Sequence, residues 1–294
     1  MSSYVFSAGL TLFATVSAHC NRDFLINATD TYVAAQASGD SDLVKSISVG
    51  NLSYTENEVP ADISKGILTT SITIDHNRSI HDAGNCASFT EIIDASDEHP
   101  NVIGTRILYN EEHQITQIES IVTDEGDWLF NATGYLYWNS LESWEPIPEE
   151  LRDTREVIQA AGNSYFERFK NESVKVPFGT PCSRLEGGAS TAPLNMTGDS
   201  CTAAGLPSTL VVTDRRFVVD EVMGAVDIFL GFPGLDRTVP DRNMPDSHLF
   251  RIESGEIRYI HTVSSCVAAG CGLNSTIPPT RAHRVRRRLS AYGL

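Results

Sequence analysis

The chain has 294 residues, 41% apolar and 20% charged, which suits two globular domains of ordinary size and excludes a disordered polymer. Its formal charge is −16, although five arginines (Arg281, Arg284, Arg286, Arg287 and Arg288) crowd the last fourteen residues. So acidic a body repels phosphate backbones, and nucleic acid is not an expected partner.

The chain opens with an apolar centre from Tyr4 to Val16 and a small-residue exit at Val16-Ser17-Ala18. This predicts a signal peptide at residues 1–18, cut after Ala18, although a basic start is missing; the alternative is an ordinary buried helix. The run is too short to span a bilayer and no later run of about 18 apolar residues follows, so no membrane span is expected. The cut leaves His19 at the amino terminus, where amine and imidazole can chelate copper. A copper oxygenase needs further histidines fixed in a β-sandwich, and the pattern here is not that.

Two counts agree with export. Six cysteines (Cys20, Cys86, Cys182, Cys201, Cys266 and Cys271) follow the cut, an even number that reads as three disulfides in one of fifteen pairings. Cys182–Cys201, Cys266–Cys271 and Cys20–Cys86 are the expected pairs. Seven Asn-x-Ser/Thr sequons, at Asn27, Asn51, Asn77, Asn131, Asn171, Asn195 and Asn274, are candidate glycan sites in the secretory pathway. A secreted or lumenal location is therefore expected.

The first domain is expected at 19–137. Helical apolar spacing runs from Asn21 to about Gln36 and ends at Ser38-Gly39-Asp40-Ser41. A loop continues through Pro60 to a short helical patch near Ala61–Lys65. Strand patterns follow at Ile67–Ile74, Arg78–Asp82 and Cys86–Asp94, then a hairpin of Gly104–Asn110 and Ile115–Thr123. Residues 138–148, carrying Trp144, Pro146 and Pro148, read as a linker.

The pattern then restarts, giving a second domain at 149–278 and a basic tail at 279–294. A helix is predicted from Glu149 to Phe169, a Gly/Ser/Thr/Pro-rich loop from Pro177 to Pro207, and a proline-rich insertion at Pro233–Pro245. Strands are predicted at Thr209–Thr213, Arg216–Glu221, Gly224–Phe232, Ser247–Glu253 and Glu256–Val263, with Ser254-Gly255 as a hairpin turn. The two halves align: Phe24-Leu25, Ala28 and Tyr32 recur as Val157-Ile158, Ala161 and Tyr165, and Asp75–Asp82 lines up with Thr213–Asp220. Helices followed by an antiparallel sheet, twice over, define an α+β tandem repeat.

Four stretches carry a family resemblance: His99-Pro-Asn-Val-Ile-Gly-Thr-Arg106, Val122-Thr-Asp-Glu-Gly-Asp-Trp-Leu-Phe-Asn131, Pro181-Cys-Ser-Arg-Leu-Glu-Gly-Gly188 and Arg215-Arg-Phe-Val-Val-Asp-Glu221. With the helix-then-sheet order, the chain resembles a fungal secreted family of unknown function with two nuclear transport factor 2-like (SnoaL-like) domains. The resemblance implies cone domains, helices packed on a curved antiparallel sheet. It also implies a cone-shaped pocket used for cofactor-free isomerisation, dehydration or cyclisation, or for binding alone. Superfamily members often pair through the sheet, so two fused copies are expected to be monomeric, the pairing made within one chain.

No GxSxG elbow, phosphate-binding glycine loop, HExxH or dinucleotide fingerprint occurs, which leaves acid/base chemistry by isolated side chains and no expected cofactor or metal. Centring the second hairpin on Ser254-Gly255 puts His248 opposite His261, on one face with Phe250, Ile252, Ile257, Tyr259 and Val263. The aligned first-half pair is Arg106 and Glu119, read as a salt bridge. Arg78/Asp82 and Arg216/Asp220 occupy alternate positions of their strands and read as structural ion pairs, Asp220 having the alternative of orienting an imidazole. Tyr32 and Tyr165 face the sheet from each first helix, as core rings or as donors to a carbonyl. Trp128, Trp138 and Trp144 are expected to join the domains.

The function expected is a cofactor-free isomerase, cyclase or dehydratase acting on a small hydrophobic metabolite. His261 is cast as base and His248 as partner acid, with Tyr165 or Asp220 in support. The competing expectation is a secreted, non-catalytic small-molecule-binding or surface-interaction protein.

Overall fold

The computed structural model describes residues 20–96, 98–192, 201–203, 206–233, 242–268 and 271. The expected signal peptide, His19, the basic tail, and the sequons at Asn195 and Asn274 lie outside them.

Each half opens on a helix and builds one six-stranded sheet. The first half holds α1 (Arg22–Ser38), α2 (Ser41–Lys45), β1 (Ser48–Glu56), β2 (Val59–Pro60), β3 (His76–Asp82), β4 (Ala87–Asp94), β5 (Asn101–Tyr109), β6 (Ile115–Thr123) and α3 (Ala132–Asn139). The second holds α4 (Arg155–Lys170), β7 (Phe178–Glu186), β8 (Ala189–Ser190), β9 (Thr213–Asp220), β10 (Ala225–Phe232), β11 (Met244–Glu253) and β12 (Glu256–Ser264). The strand orders, β2-β1-β6-β5-β4-β3 and β8-β7-β12-β11-β10-β9, are the same topology written twice. In both, the last strand pairs parallel with the first long one, and the other pairings are antiparallel.

Local chemistry explains the helices. Asn21 caps α1 by accepting from the Asp23 amide, and Gly39 ends it at φ 67°, a conformation that suits a residue without Cβ. In α4, Ile158, Ala161, Tyr165 and Phe169 form the buried stripe that lies on β10 and β11.

Each sheet has two dry faces. One packs on its own helix: Leu25 and Tyr32 with Ile92, Ile103 and Ile107 in the first half, Tyr165 and Phe166 with Val226, Ile228 and Phe250 in the second. The other faces the opposite half. Ile80, Phe89, Val102 and Ile121 meet Val218, Phe229, Leu249 and Val263 in a shared core, with Phe89 and Phe229 edge-to-face at 6.1 Å.

Several elements differ from expectation. Ile67–Ile74 contains a single 3-10 turn (Ile67–Thr69), and of Thr209–Thr213 only Thr213 is strand. The segments read as loops hold β1 and β7. Both lie toward a sheet edge, beside a two-residue strand, so neither shows clean alternation; β1 is mostly part-exposed. The helix of the second half starts at Arg155, after a 3-10 turn at Glu149–Leu151. Helix α3, unexpected from the sequence, runs through Asn139 and so takes in the first two residues of the expected linker.

The three expected disulfides, Cys20–Cys86, Cys182–Cys201 and Cys266–Cys271, all form. The asparagines of the five described sequons, Asn27, Asn51, Asn77, Asn131 and Asn171, are all exposed.

Candidate functional site

One inserted residue decides the histidines. At the Ser254-Gly255 turn both residues have positive φ, and Glu253 pairs with Glu256, then Ile252 with Ile257. Beyond that a bulge at Arg258 shifts the register, so Arg251 pairs with Tyr259, Leu249 with His261 and His248 with Thr262. A one-residue slip turns a side chain to the other face. His248 therefore faces α4, with Phe250, while His261 faces the opposite half, across from Leu249. The expected His248–His261 pair does not form.

Asp220 belongs to neither histidine's helix-side environment. Arg22, at the start of α1, grips it with two hydrogen bonds of 2.8 Å, and Arg155, at the start of α4, grips Asp82 with two of 2.6 Å. The backbone repeats the exchange: the His81 amide donates to Asp220 and the Val219 amide to Asp82. The expected Arg78–Asp82 and Arg216–Asp220 pairs fail on distance, since four residues along a strand span about 13 Å. Arg78 instead bonds Glu91 at 3.0 Å and Asn139 at 2.6 Å; Arg216 donates to Glu58 at 3.1 Å and is ion-paired with Glu119 at the same distance. Arg106 and Glu119 are opposed on adjacent strands and ion-paired.

His261 lies fully inside the joint between halves. Nδ1 is 2.9 Å from Glu91 Oε2 and Nε2 is 2.6 Å from Glu142 Oε2. Only an imidazolium can donate from both nitrogens. Burial alone would lower its pKa, but Glu142 and Glu91 reverse that and push it up to about 9. Burial works against the charge of Glu91 too, yet His261 and Arg78 hold it below the usual carboxylate range. Trp144 roofs the group: Arg78 lies 4.1 Å from its ring centre and His261 meets it at 5.4 Å.

The inner face of the second sheet is different in kind. The His248 ring is ringed by Phe166 (4.9 Å), Tyr165 (5.7 Å), Phe250 (6.0 Å) and Phe232 (6.5 Å). Two residues back on the same strand face, Asp246 puts Oδ1 3.4 Å from His248 Nδ1, off the line for a hydrogen bond, and takes one from Ser264 at 2.8 Å. His248 Nδ1, Asp246 Oδ2 and Thr262 Oγ1 are buried without any hydrogen-bond partner in the protein. The Tyr165 hydroxyl accepts from Arg184 at 3.1 Å; burial and the nearby Glu186 push its pKa up to about 12.

The first half gives the control. Strand pairing makes Thr105 the counterpart of His248 and Ser120 the counterpart of Thr262, as Tyr32 is of Tyr165. There, Tyr32 bonds Thr105 at 2.7 Å and Thr105 bonds Ser120 at 2.9 Å, a closed chain of hydroxyls. At Asp246 the first half has Ile103. The same positions are self-satisfied in one half and left open in the other. Asp246 was legible in the sequence, two residues from His248 on a strand; Thr262 was hidden by the bulge.

A separate open groove of about 470 Å3 lies elsewhere, lined from the first half by Glu56, Lys65, Asp124 and Asp127 and from the second by Ser265 and Cys266. It contains none of the expected acid/base residues.

In class, the chain is thus a tandem of helix-on-sheet units with a polar, partly unpaired cluster inside the second. Residues 151–264, which span that cluster, match a domain of unknown function (DUF8021). Among solved structures, the chain is similar to a presumed isomerase of the SnoaL-like family from Agrobacterium tumefaciens str. C58, at 14% identity and TM-score 0.25, over 34% of this chain and 98% of that one. At that score the likeness says nothing of substrate or chemistry. No curated protein matches the chain in sequence.

Proposed function

We propose that the chain is a secreted protein whose second half holds a cofactor-free acid/base site on its inner sheet face. The observation that carries this is the contrast between Tyr32–Thr105–Ser120, closed on itself, and Tyr165, His248 and Thr262 with Asp246, left with three unpartnered polar atoms. Buried polar groups are rarely left unmade, and each costs about 1–3 kcal/mol when it is. Such atoms are suited to a ligand that completes them. Three disulfides and five exposed sequon asparagines support secretion.

In this reading a small ring shift lets His248 Nδ1–H donate to Asp246, leaving Nε2 as the base, the division of labour of a carboxylate–imidazole pair. Thr262 Oγ and the Tyr165 hydroxyl hold an oxygen of the substrate, and the aromatic rings keep water out. The chemistry is proton transfer next to a carbonyl, hence isomerisation or elimination, on a compact apolar molecule with one or two oxygens. His261 and Asp220 take no part, because both are committed to the joint. A second reading, binding without turnover, is favoured by the close packing of Phe166 on His248.

The test is exchange of carbon-bound α-protons of a panel of small ketones and hydroxy-ketones in heavy water, followed by proton NMR. The expected result is exchange accelerated by the protein and lost, by about 100-fold or more, in His248→Gln and Asp246→Asn. Binding without exchange would support the second reading. Neither binding nor exchange would leave the cluster as packing and sink both.

A further inference from the structure

Residues 141–148 cross the outside of the joint as a strap. Its backbone is tied at both ends, the Leu141 and Glu142 amides donating to Trp138 O at 3.1 Å and Asn139 O at 3.2 Å, Ile147 N donating to Val222 O at 2.8 Å and Arg152 donating to Ile147 O at 2.9 Å. Between them Ser143 N reaches the Tyr259 hydroxyl at 3.4 Å and Arg251 donates to the Glu145 carbonyl at 2.9 Å. Ile147 is buried near its far end, and the middle is gripped by two side chains. Glu142 inserts its carboxylate, 2% exposed, against His261, and Trp144 lies over Arg78 and against Tyr259. Beneath them Arg78, Glu91, Tyr135 and Asn139 form one bonded group, Tyr135 donating to Glu91 at 2.9 Å and Asn139 at 2.7 Å.

The pseudo-symmetric end of the joint pairs its groups differently. There the counterpart of His261 is Glu119 and that of Arg78 is Arg216, and the two pair directly. Replacing that glutamate by a histidine puts two cations side by side, and two carboxylates, Glu91 and Glu142, offset them. Glu91 is fixed in β4, whereas Glu142 is carried on a segment outside regular helix and strand.

We propose that the strap 141–148 is a proton-locked latch, closed while His261 carries both ring protons and released when it gives one up. The geometry requires this: a neutral imidazole keeps one lone pair, and that lone pair would face a carboxylate at hydrogen-bonding distance. The groups around His261 set which bond fails. Arg78 and His76 come from β3, Glu91 from β4, Tyr135 from α3, Arg251 from β11 and Tyr259 from β12; all are built into regular elements, so Glu142 is the carboxylate free to leave. The latch is closed in acidic and neutral media and lifts in alkaline ones, uncovering Arg78, Glu91 and Asn139.

The test is amide hydrogen exchange of the full chain across a pH series, corrected for intrinsic rates, with ring nitrogen NMR of His261. At neutral pH both ring nitrogens should be protonated. Exchange of the strap amides should rise by up to about tenfold for each pH unit as pH climbs from the ordinary imidazole value of 6.5 toward about 9 and level off above it, while β10 and β11 change little. Glu142→Gln should exchange fast at neutral pH and lack the step. Three results would overturn the latch: a neutral His261 ring at neutral pH, a strap without a pH step, or a step shared equally by β10 and β11. The wild-type series stands by itself if the variant folds poorly.

Discussion

Arg22 and Asp220 sit 198 positions apart, yet guanidinium and carboxylate meet in two parallel hydrogen bonds of 2.8 Å, and Arg155 and Asp82 repeat the contact in the opposite sense. Each half supplies the arginine that satisfies the other's buried carboxylate. This is the self-complementary pattern of a two-fold interface, made here within one chain. The joint is therefore part of each half's stability.

Removing one member leaves a buried charge unpaired. Asp220→Ala and Asp82→Ala should each cost about 3–5 kcal/mol, and Arg22→Ala less because that side chain is 28% exposed. Urea unfolding with probes in both halves should show one shared transition for the wild type. In the aspartate variants the two halves should melt apart.

The pH profile follows from four groups; the first, His81, is lowered to about 4 by burial, so its contribution is complete above 6.5 and is lost as pH falls toward 4. The raised His261 adds stability that is complete below its unfolded value near 6.5 and is lost as pH climbs through about 9. The lowered Glu91 adds stability present above its ordinary value of 4.5 and lost in stronger acid. Buried Asp227 acts in the reverse direction: burial holds its carboxyl protonated, so its contribution is complete below 3.8 and erodes as pH rises. A broad maximum in the mildly acidic range is expected. Asp227→Asn should raise stability at slightly alkaline pH relative to pH 5, measured as the difference in urea midpoint between the two pH values.

Loop closure ranks the disulfides. Cys20–Cys86 closes 66 residues, Cys182–Cys201 closes 19 and Cys266–Cys271 closes 5. On chain entropy alone, replacing each pair by alanines should cost roughly 4, 3 and 2 kcal/mol in that order. Thermal unfolding of the three double variants checks the ranking.

Much of this was legible beforehand. The repeat offset between Tyr32 and Tyr165 located both helices, and apolar strands such as Ala225–Phe232 announced themselves because both faces are buried. The six cysteines paired as spacing suggested. What could not be read was the bulge at Arg258, since nothing in its residue type marks an extra residue, and that single insertion separated His248 from His261. Nor could the joint be read: Glu91, a charged residue inside an apolar strand, makes sense only once Arg78, His261 and Asn139 arrive from three other elements. Strands β1 and β7 were missed because a sheet margin does not enforce alternation.

The most direct measurement is a crystal structure of the protein, purified from its natural source, at a resolution that shows ordered waters and small molecules. The predicted result is density from a single bound species within hydrogen-bonding distance of His248 Nε2, Thr262 Oγ1 and the Tyr165 hydroxyl, with His248 Nδ1 turned onto Asp246. Thr262 and Tyr165 satisfied within the protein, as Tyr32, Thr105 and Ser120 are closed on one another in the first half, with no such density, would contradict a ligand site in the second.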